Sequence, residues 1–269
     1  MARRAKYRPA CRFAAPACLA LAILVAVPQA ARAGAWTLPA GRGEVIATGI
    51  WSRADAAFAA GAGSLPSDFG KGAASLFVQH GWTDRLTVFS KIEVARESDG
   101  VSGYERSGVS ELLGGARLRL FKHGGFVAAA ELAGGFAPGD GPLLAAARTT
   151  LEPRVAAGYG FELAGLPGFV DAEAAYRLRT GGDASDELRL DVTAGLRAWR
   201  RWLFLARSNS TLAVSGTGAA APYAYHKLQG SVVFDVADRW SIEAGLFTTI
   251  AGSNAPKERG LVTALWYRY

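Results

Sequence analysis

From residue 43 onward, apolar and polar side chains exchange places at every second position over segments of about ten to fourteen residues, the period of a β-strand with two distinct faces. The segment 186–199 is the clearest: Leu188, Leu190, Val192, Ala194, Leu196 and Ala198 share one face, and Glu187, Arg189, Asp191, Thr193 and Arg197 the other. Segment 168–180 repeats it, with Val170, Ala172, Ala174, Tyr176 and Leu178 opposed to Asp171, Glu173, Arg177 and Arg179. Gly, Asp, Pro and Ser clusters punctuate these runs. The pattern predicts twelve strands, at 43–53, 71–82, 85–96, 108–121, 125–136, 148–162, 168–180, 186–199, 201–214, 223–236, 239–250 and 259–269.

The connections sort by length. Tight ones fall at 83–84, 122–124, 163–167, 200 and 237–238; longer or more polar ones fall at 54–70, 97–107, 137–147, 181–185, 215–222 and 251–258. A soluble sandwich has no reason to sort its loops, whereas a transmembrane barrel with an even number of strands puts tight turns at one rim and longer loops at the other. Aromatic residues gather beside the tight turns: Trp82, Phe121, Phe126, Phe161, Phe169, Trp199, Trp202, Trp240, Trp266, Tyr267 and Tyr269. Amphipathic rings favour a membrane interface, so these form a candidate girdle. Phe121 has the parity of the polar face and requires a bulge or a turn distortion. The expected fold is all-β, a 12-stranded antiparallel up-and-down transmembrane β-barrel over 43–269.

The last ten residues place Leu261, Leu265, Tyr267 and Tyr269 on one face of a strand that ends in an aromatic residue. This resembles the terminal signal strand of Gram-negative outer-membrane β-barrel proteins, although those strands more often end in Phe. The resemblance implies three kinds of partner: the barrel assembly machinery, outer-membrane lipids and lipopolysaccharide.

The N-terminus agrees. Arg3, Arg4, Lys6, Arg8 and Arg12 precede an apolar run at 13–27, and Ala31-Arg32-Ala33 follows Pro28. This is the pattern of a secretory signal peptide over 1–33, cleaved between Ala33 and Gly34. The apolar run is too short to span a bilayer as a helix. Residues 34–42 would then be a short periplasmic leader, in which Trp36 is expected to anchor at the interface, the alternative being that it plugs or braces the lower rim.

Charge and cysteine content must be read after that removal. Of 30 Lys and Arg and 23 Asp and Glu, residues 1–33 hold six bases and no acid, leaving 24 against 23 and a net of +1. The basic pI therefore gives no ground for a nucleic-acid partner. Both cysteines, Cys11 and Cys18, lie in the signal segment, so no disulfide or thiolate metal site is expected.

Parity assigns to the lumen Lys91, Glu93, Glu111, Arg117, Arg119, Glu131, Arg148, Glu152, Arg154, Asp171, Glu173, Arg177, Arg179, Arg189, Asp191, Arg197, Arg207, Lys227 and Glu243. Bases outnumber acids in this set. Buried charges must be hydrated or paired, and twelve strands lie between a filled barrel and an aqueous channel. An Arg-rich lumen suits carboxylates, since guanidinium forks match them. The alternative is an Arg–Glu network that only fills the barrel. Architecture and lumen chemistry resemble the twelve-stranded monomeric channels for acidic sugars, oligogalacturonates and nucleosides, which implies a narrow passive channel or porin for small polar or anionic solutes.

A second resemblance rests on Gly34-Ala35-Trp36-Thr37-Leu38-Pro39 with Gly41-Arg42-Gly43, and on Glu258-Arg259-Gly260-Leu261. These look like exported proteins labelled XagA, associated with exopolysaccharide production, which would make a polysaccharide the partner. A third reading is a lipid-face acyl hydrolase, because His226 has outward parity and hairpin pairing would bring Ser210 beside it; Asn209 points inward and supplies no third member. His80 and His123 lack partners at metal-ligand spacing. Asp183, Asp186 and Glu187 form a solvated acidic loop or a divalent-ion site. No catalytic residues, metal or cofactor are expected.

Overall fold

The structure is a computed structural model that describes residues 34–59, 64–98, 105–137, 149–180, 185–215 and 222–269. The signal segment through Ala33, and with it Arg148 and Asp183, lies outside the described residues.

The strands are β1 (Gly43–Phe58), β2 (Ser64–Thr83), β3 (Leu86–Ser98), β4 (Glu105–His123), β5 (Phe126–Phe136), β6 (Thr149–Leu163), β7 (Leu166–Thr180), β8 (Asp186–Ala198), β9 (Trp202–Ser215), β10 (Ala224–Ala237), β11 (Trp240–Ser253), β12 (Ala255–Pro256) and β13 (Arg259–Arg268). The two-residue β12 only extends the ladder beside Ala57 and Phe58. The other twelve form a closed antiparallel barrel, because β1 pairs with β2 on one side and β13 on the other. The closing seam runs from Glu44 opposite Arg268 to Arg53 opposite Arg259. At its lower end Gly43 and Tyr269 exchange two backbone hydrogen bonds of 3.0 Å.

Tight turns occupy one rim. Ala164 and Gly165, with φ of 52° and 80°, make a two-residue turn of the left-handed kind whose twist matches a β-hairpin. At the opposite rim the strands outrun the apolar pattern: β1 continues to Phe58, β2 starts at Ser64, β4 at Glu105, and β11 reaches Ser253. Ladder hydrogen bonds do not depend on side-chain polarity, so hairpins persist beyond the level where alternation with a lipid-facing side stops.

The outer surface is apolar, with Trp51, Leu76, Ile92, Leu132, Leu190 and Leu246 all exposed. Such a belt is stable against lipid and unstable in water. Below it lies the aromatic rim of Trp82, Phe121, Phe126, Phe161, Trp199, Trp202, Trp240 and Tyr269. Trp202 packs on Phe234 at 4.7 Å and Trp240 on Tyr267 at 4.6 Å between ring centroids. A register shift between Arg119 and Phe121 turns Phe121 outward. Two members of the expected girdle face inward instead: Phe169 is 4% and Trp266 7% exposed. Phe169 shares the parity of Asp171, and Trp266 that of Arg268. With Leu203, Leu205, Val233 and Ala264 they form an apolar core inside the lower barrel, where parity arguments anticipated charge.

Candidate functional site

The lower mouth is occupied by the chain's own leader. From Gly43 it turns back into the barrel: Gly41 N–H donates to the Gly81 carbonyl (2.8 Å), Ala40 N–H to Asp84 Oδ1 (2.9 Å) and Leu38 N–H to Thr87 Oγ1 (2.8 Å). Arg117 donates to the Trp36 carbonyl (3.2 Å), and Ala35 N–H to Asp171 Oδ2 (2.8 Å). The Trp36 ring meets Phe169 edge to face at 5.7 Å and packs against the inner apolar core. Trp36 is therefore a lumen plug and not an interfacial anchor. The inward-facing Leu203, Leu205 and Val233 give the indole an apolar seat that the membrane interface would offer only on one side.

Above the plug, charges line the wall as a continuous network. Arg154 reaches Glu131 (3.6 Å), Glu152 (2.6 Å), Glu173 and Asp191 (3.4 Å), so four strands converge on one guanidinium. Glu152 also accepts from Arg177 (2.5 Å) and Arg189 (3.5 Å). The chain of pairs continues through Arg177–Glu111 (3.3 Å), Glu111–Lys91 (2.9 Å), Lys91–Glu93 (2.9 Å) and Lys71–Glu97 (3.0 Å). On the opposite wall stand Arg207–Glu243 (2.6 Å), Lys227–Glu258 and Arg197–Asp235 (2.6 Å). Pairing of this density offsets the desolvation that isolated charges would suffer inside a barrel.

The sequence-assigned lumen residues are distributed along this wall. Arg117 pairs with Glu131 (2.8 Å), Arg179 with Glu187 (2.7 Å), and Asp191 accepts from Asn209 (2.8 Å). Arg119 reaches down to Thr37 of the leader (3.4 Å). The sequence-assigned set omitted the inward acids Glu44, Glu97, Asp235 and Glu258 and the base Lys71; Arg268, inward at the lower rim as its parity implies, pairs with Glu44 and Asp235. Glu97 lies one residue beyond the strand drawn to 96; Lys71, Glu44 and Asp235 lay within drawn strands with the right parity and could have been counted. With these four acids and two bases added, the excess of bases in the original set narrows from 11 against 8 to 13 against 12. In several pairs the two signs differ in depth. Arg207 is 24% exposed against 3% for Glu243, and Lys227 27% against 8% for Glu258. In these two pairs, and in Lys71–Glu97, Arg179–Glu187 and Arg189–Glu152, the cation stands toward the water and the acid lies behind it, whereas Arg197–Asp235 has the reverse order and Arg154 is no more exposed than Glu173 and Asp191.

Toward the long-loop end the lumen opens into a cavity of ≈ 470 Å³. Phe69, Tyr223, Tyr225 and Phe247 line it with Asn209, Gln229, Lys71 and Lys227. Lys227 lies 5.0 Å above the Tyr225 ring, a cation–π arrangement that holds the ammonium in place. Rings beside amides and cations are the surface a polyhydroxylated or carboxylated solute requires.

On the outer face Ser210 and His226 are cross-strand partners, with Ser210 Oγ 2.6 Å from His226 Nδ1. A nucleophile and base are thus in contact. Their lateral neighbours are Leu190 and Ala251, neither of which can orient an imidazole for acyl transfer. In the acidic loop, Asp186 holds the Arg179 amide (2.9 Å) while Glu187 points inward to Arg179, so the two carboxylates serve different partners. His80 stacks on Tyr269 at 6.0 Å.

No family model matches the sequence, and no curated protein matches it. Solved structures do. An outer membrane channel from Pseudomonas putida F1 superposes with a TM-score of 0.72 at 16% identity, covering 88% of this chain and 99% of that one. The fold is that of an outer-membrane β-barrel. The NanC porin follows with a TM-score of 0.55 at 6% identity, over 83% of this chain and 98% of that one. The translocator domain of autotransporter NalP from Neisseria meningitidis gives 0.52 at 8%, over 86% and 90%. In outer-membrane barrels the tight turns face the periplasm, so the turn rim of this barrel corresponds to that side.

Proposed function

We propose that this barrel resides in the outer membrane as a narrow passive channel for small polar solutes, with a preference for sugar-acid-like anions. The observation that carries the reading is the layered placement of charge: cations such as Arg207 and Lys227 face the water, and their acids are buried behind them. A permeating anion meets guanidinium and ammonium groups first, already held in position, so it pays little reorganisation. The aromatic cavity at the outer end supplies faces for sugar rings. The likeness to an outer membrane channel and to a porin supports passage in general.

The test is planar-bilayer recording of the purified barrel under a salt gradient. Single-channel steps with a reversal potential displaced toward the anion potential support the proposal. Absence of current, or cation preference, would overturn it. A second reading, a non-conducting barrel associated with exopolysaccharide, draws on the leader that fills the lower mouth; loss of exopolysaccharide in a deletion strain with unchanged solute uptake would favour it.

A further inference from the structure

Residue 34 sits between two carboxylates. A β-carbon on Gly34 would lie 1.9 Å from Glu173 Oε1 and 2.4 Å from Asp171 Oδ1, so any side chain there would push the two carboxylates aside. By covalent geometry the Gly34 nitrogen is within about 5 Å of both oxygens. Asp171 is 1% exposed, and its Oδ1 has no hydrogen-bond partner. Among the described residues its Oδ2 accepts the uncharged Ala35 amide. Glu173 gives its other oxygen to Arg154. A buried carboxylate with a vacant oxygen beside a second carboxylate is unfavourable unless a cation stands there or the pair shares a proton, and a cation relieves both charges at once.

The sequence supplies one. Cleavage between Ala33 and Gly34 converts the Gly34 amide into an α-ammonium, with three donors and a full positive charge. We propose that Asp171 and Glu173 form a docking site for this new N-terminus, which locks the leader inside the lumen only after the signal peptide has been removed. The inference rests on that cleavage position. It explains why Gly stands at 34, why Asp171 is left short of a partner, and why the leader climbs as far as the level of Glu173. Through Glu173 the terminal charge joins the Arg154 hub, so maturation of the chain end and order in the central network are coupled. The uncleaved chain has a neutral amide at this point and cannot complete the pair.

The decisive measurement uses barrel purified from outer membranes. N-terminal sequencing must return Gly34; a different first residue overturns the proposal through its premise. An α-amine-selective reagent at neutral pH should then label the folded barrel about tenfold or more slowly than the unfolded chain, since reaction requires local opening. Equal rates would sink the docking site even with Gly34 confirmed. In the Asp171→Asn/Glu173→Gln variant, labelling of the folded barrel should rise to near the unfolded rate. An insertion that leaves one alanine ahead of Gly34 displaces the charge, and should lower the thermal unfolding temperature of the barrel while the acetylated wild-type terminus shows the same loss. Unchanged labelling in the double variant, or unchanged unfolding for both displaced and acetylated termini, would count against it.

Discussion

Gly158 is the socket for Trp36: a β-carbon at 158 would come within 2.4 Å of the indole Cη2. The wall of β6 is therefore shaped to accept a ring delivered from the leader, and the lower lumen closes around it. Trp36→Ala removes the ring, and Gly158→Leu pushes it out of its seat. Both variants should raise single-channel conductance, by about twofold or more for Trp36→Ala, with the folded barrel still recovered. Equal conductance in wild type and Trp36→Ala would mean that the leader does not limit flow.

Glu152 holds Arg154, Arg177 and Arg189 together. Glu152→Ala takes one of four carboxylates from Arg154, one of two from Arg177 and the partner of the more exposed Arg189, so the cost falls below the ~3–5 kcal/mol of a buried charge left wholly unpaired. The expected result is a clear drop in the urea midpoint of the barrel in lipid or detergent. Arg96→Ala, which breaks the well-exposed pair with Glu105, should change the midpoint little, because exposed pairs contribute about 0–1 kcal/mol.

Removing the water-facing cations exposes the acids behind them. Arg207→Ala with Lys227→Ala uncovers Glu243 and Glu258. The permeability ratio should move toward cations by about threefold or more, read from the reversal potential in a salt gradient. A ratio unchanged within error would locate selectivity elsewhere in the lumen.

Tyr269 closes the seam through the paired backbone bonds to Gly43 and through stacking on His80 and Tyr267. Deleting it should lower the fraction of heat-modifiable, folded barrel in outer membranes several-fold. Tyr269→Phe keeps the ring and both backbone bonds and should assemble like wild type.

Ser210 and His226 touch on the lipid face but have only Leu190 and Ala251 beside them. Incubated with phospholipid vesicles, the protein and its His226→Ala variant should release fatty acid at the same background rate. Release that depends on His226 would revive the hydrolase.

How much of this was legible beforehand follows from which interactions are periodic. Strand number, face assignment and the sorted turns come from alternation repeated along the whole chain, so Leu188 through Arg197 announced both the lipid face and the lumen face. Phe121 showed its bulge as a parity conflict. Phe169 and Trp266 were misplaced, and Trp36 was given to the interface ahead of the plug, because an aromatic beside a turn looks the same whether it faces lipid or a plug. The difference lies in partners such as Leu203 and Gly158, which are distant in sequence. The ion pairs were invisible for a related reason: parity says that Arg154 points inward, not that Glu131, Glu152, Glu173 and Asp191 meet it there. Strand ends at Phe58 and Ser64 were unreadable because ladders in water carry no apolar signature.

The seam between β1 and β13 carries a kinetic consequence. Its ion pair joins Glu44 and Arg268, 224 positions apart, whereas each neighbouring hairpin joins residues close in sequence. Contacts of such separation form late, since a long loop must be closed before they are rewarded. Until they form, the wall is open sideways along the strand that carries the leader. The leader can then be laid across Thr87 and Asp84 from the open flank, with no need to thread a closed ring from below.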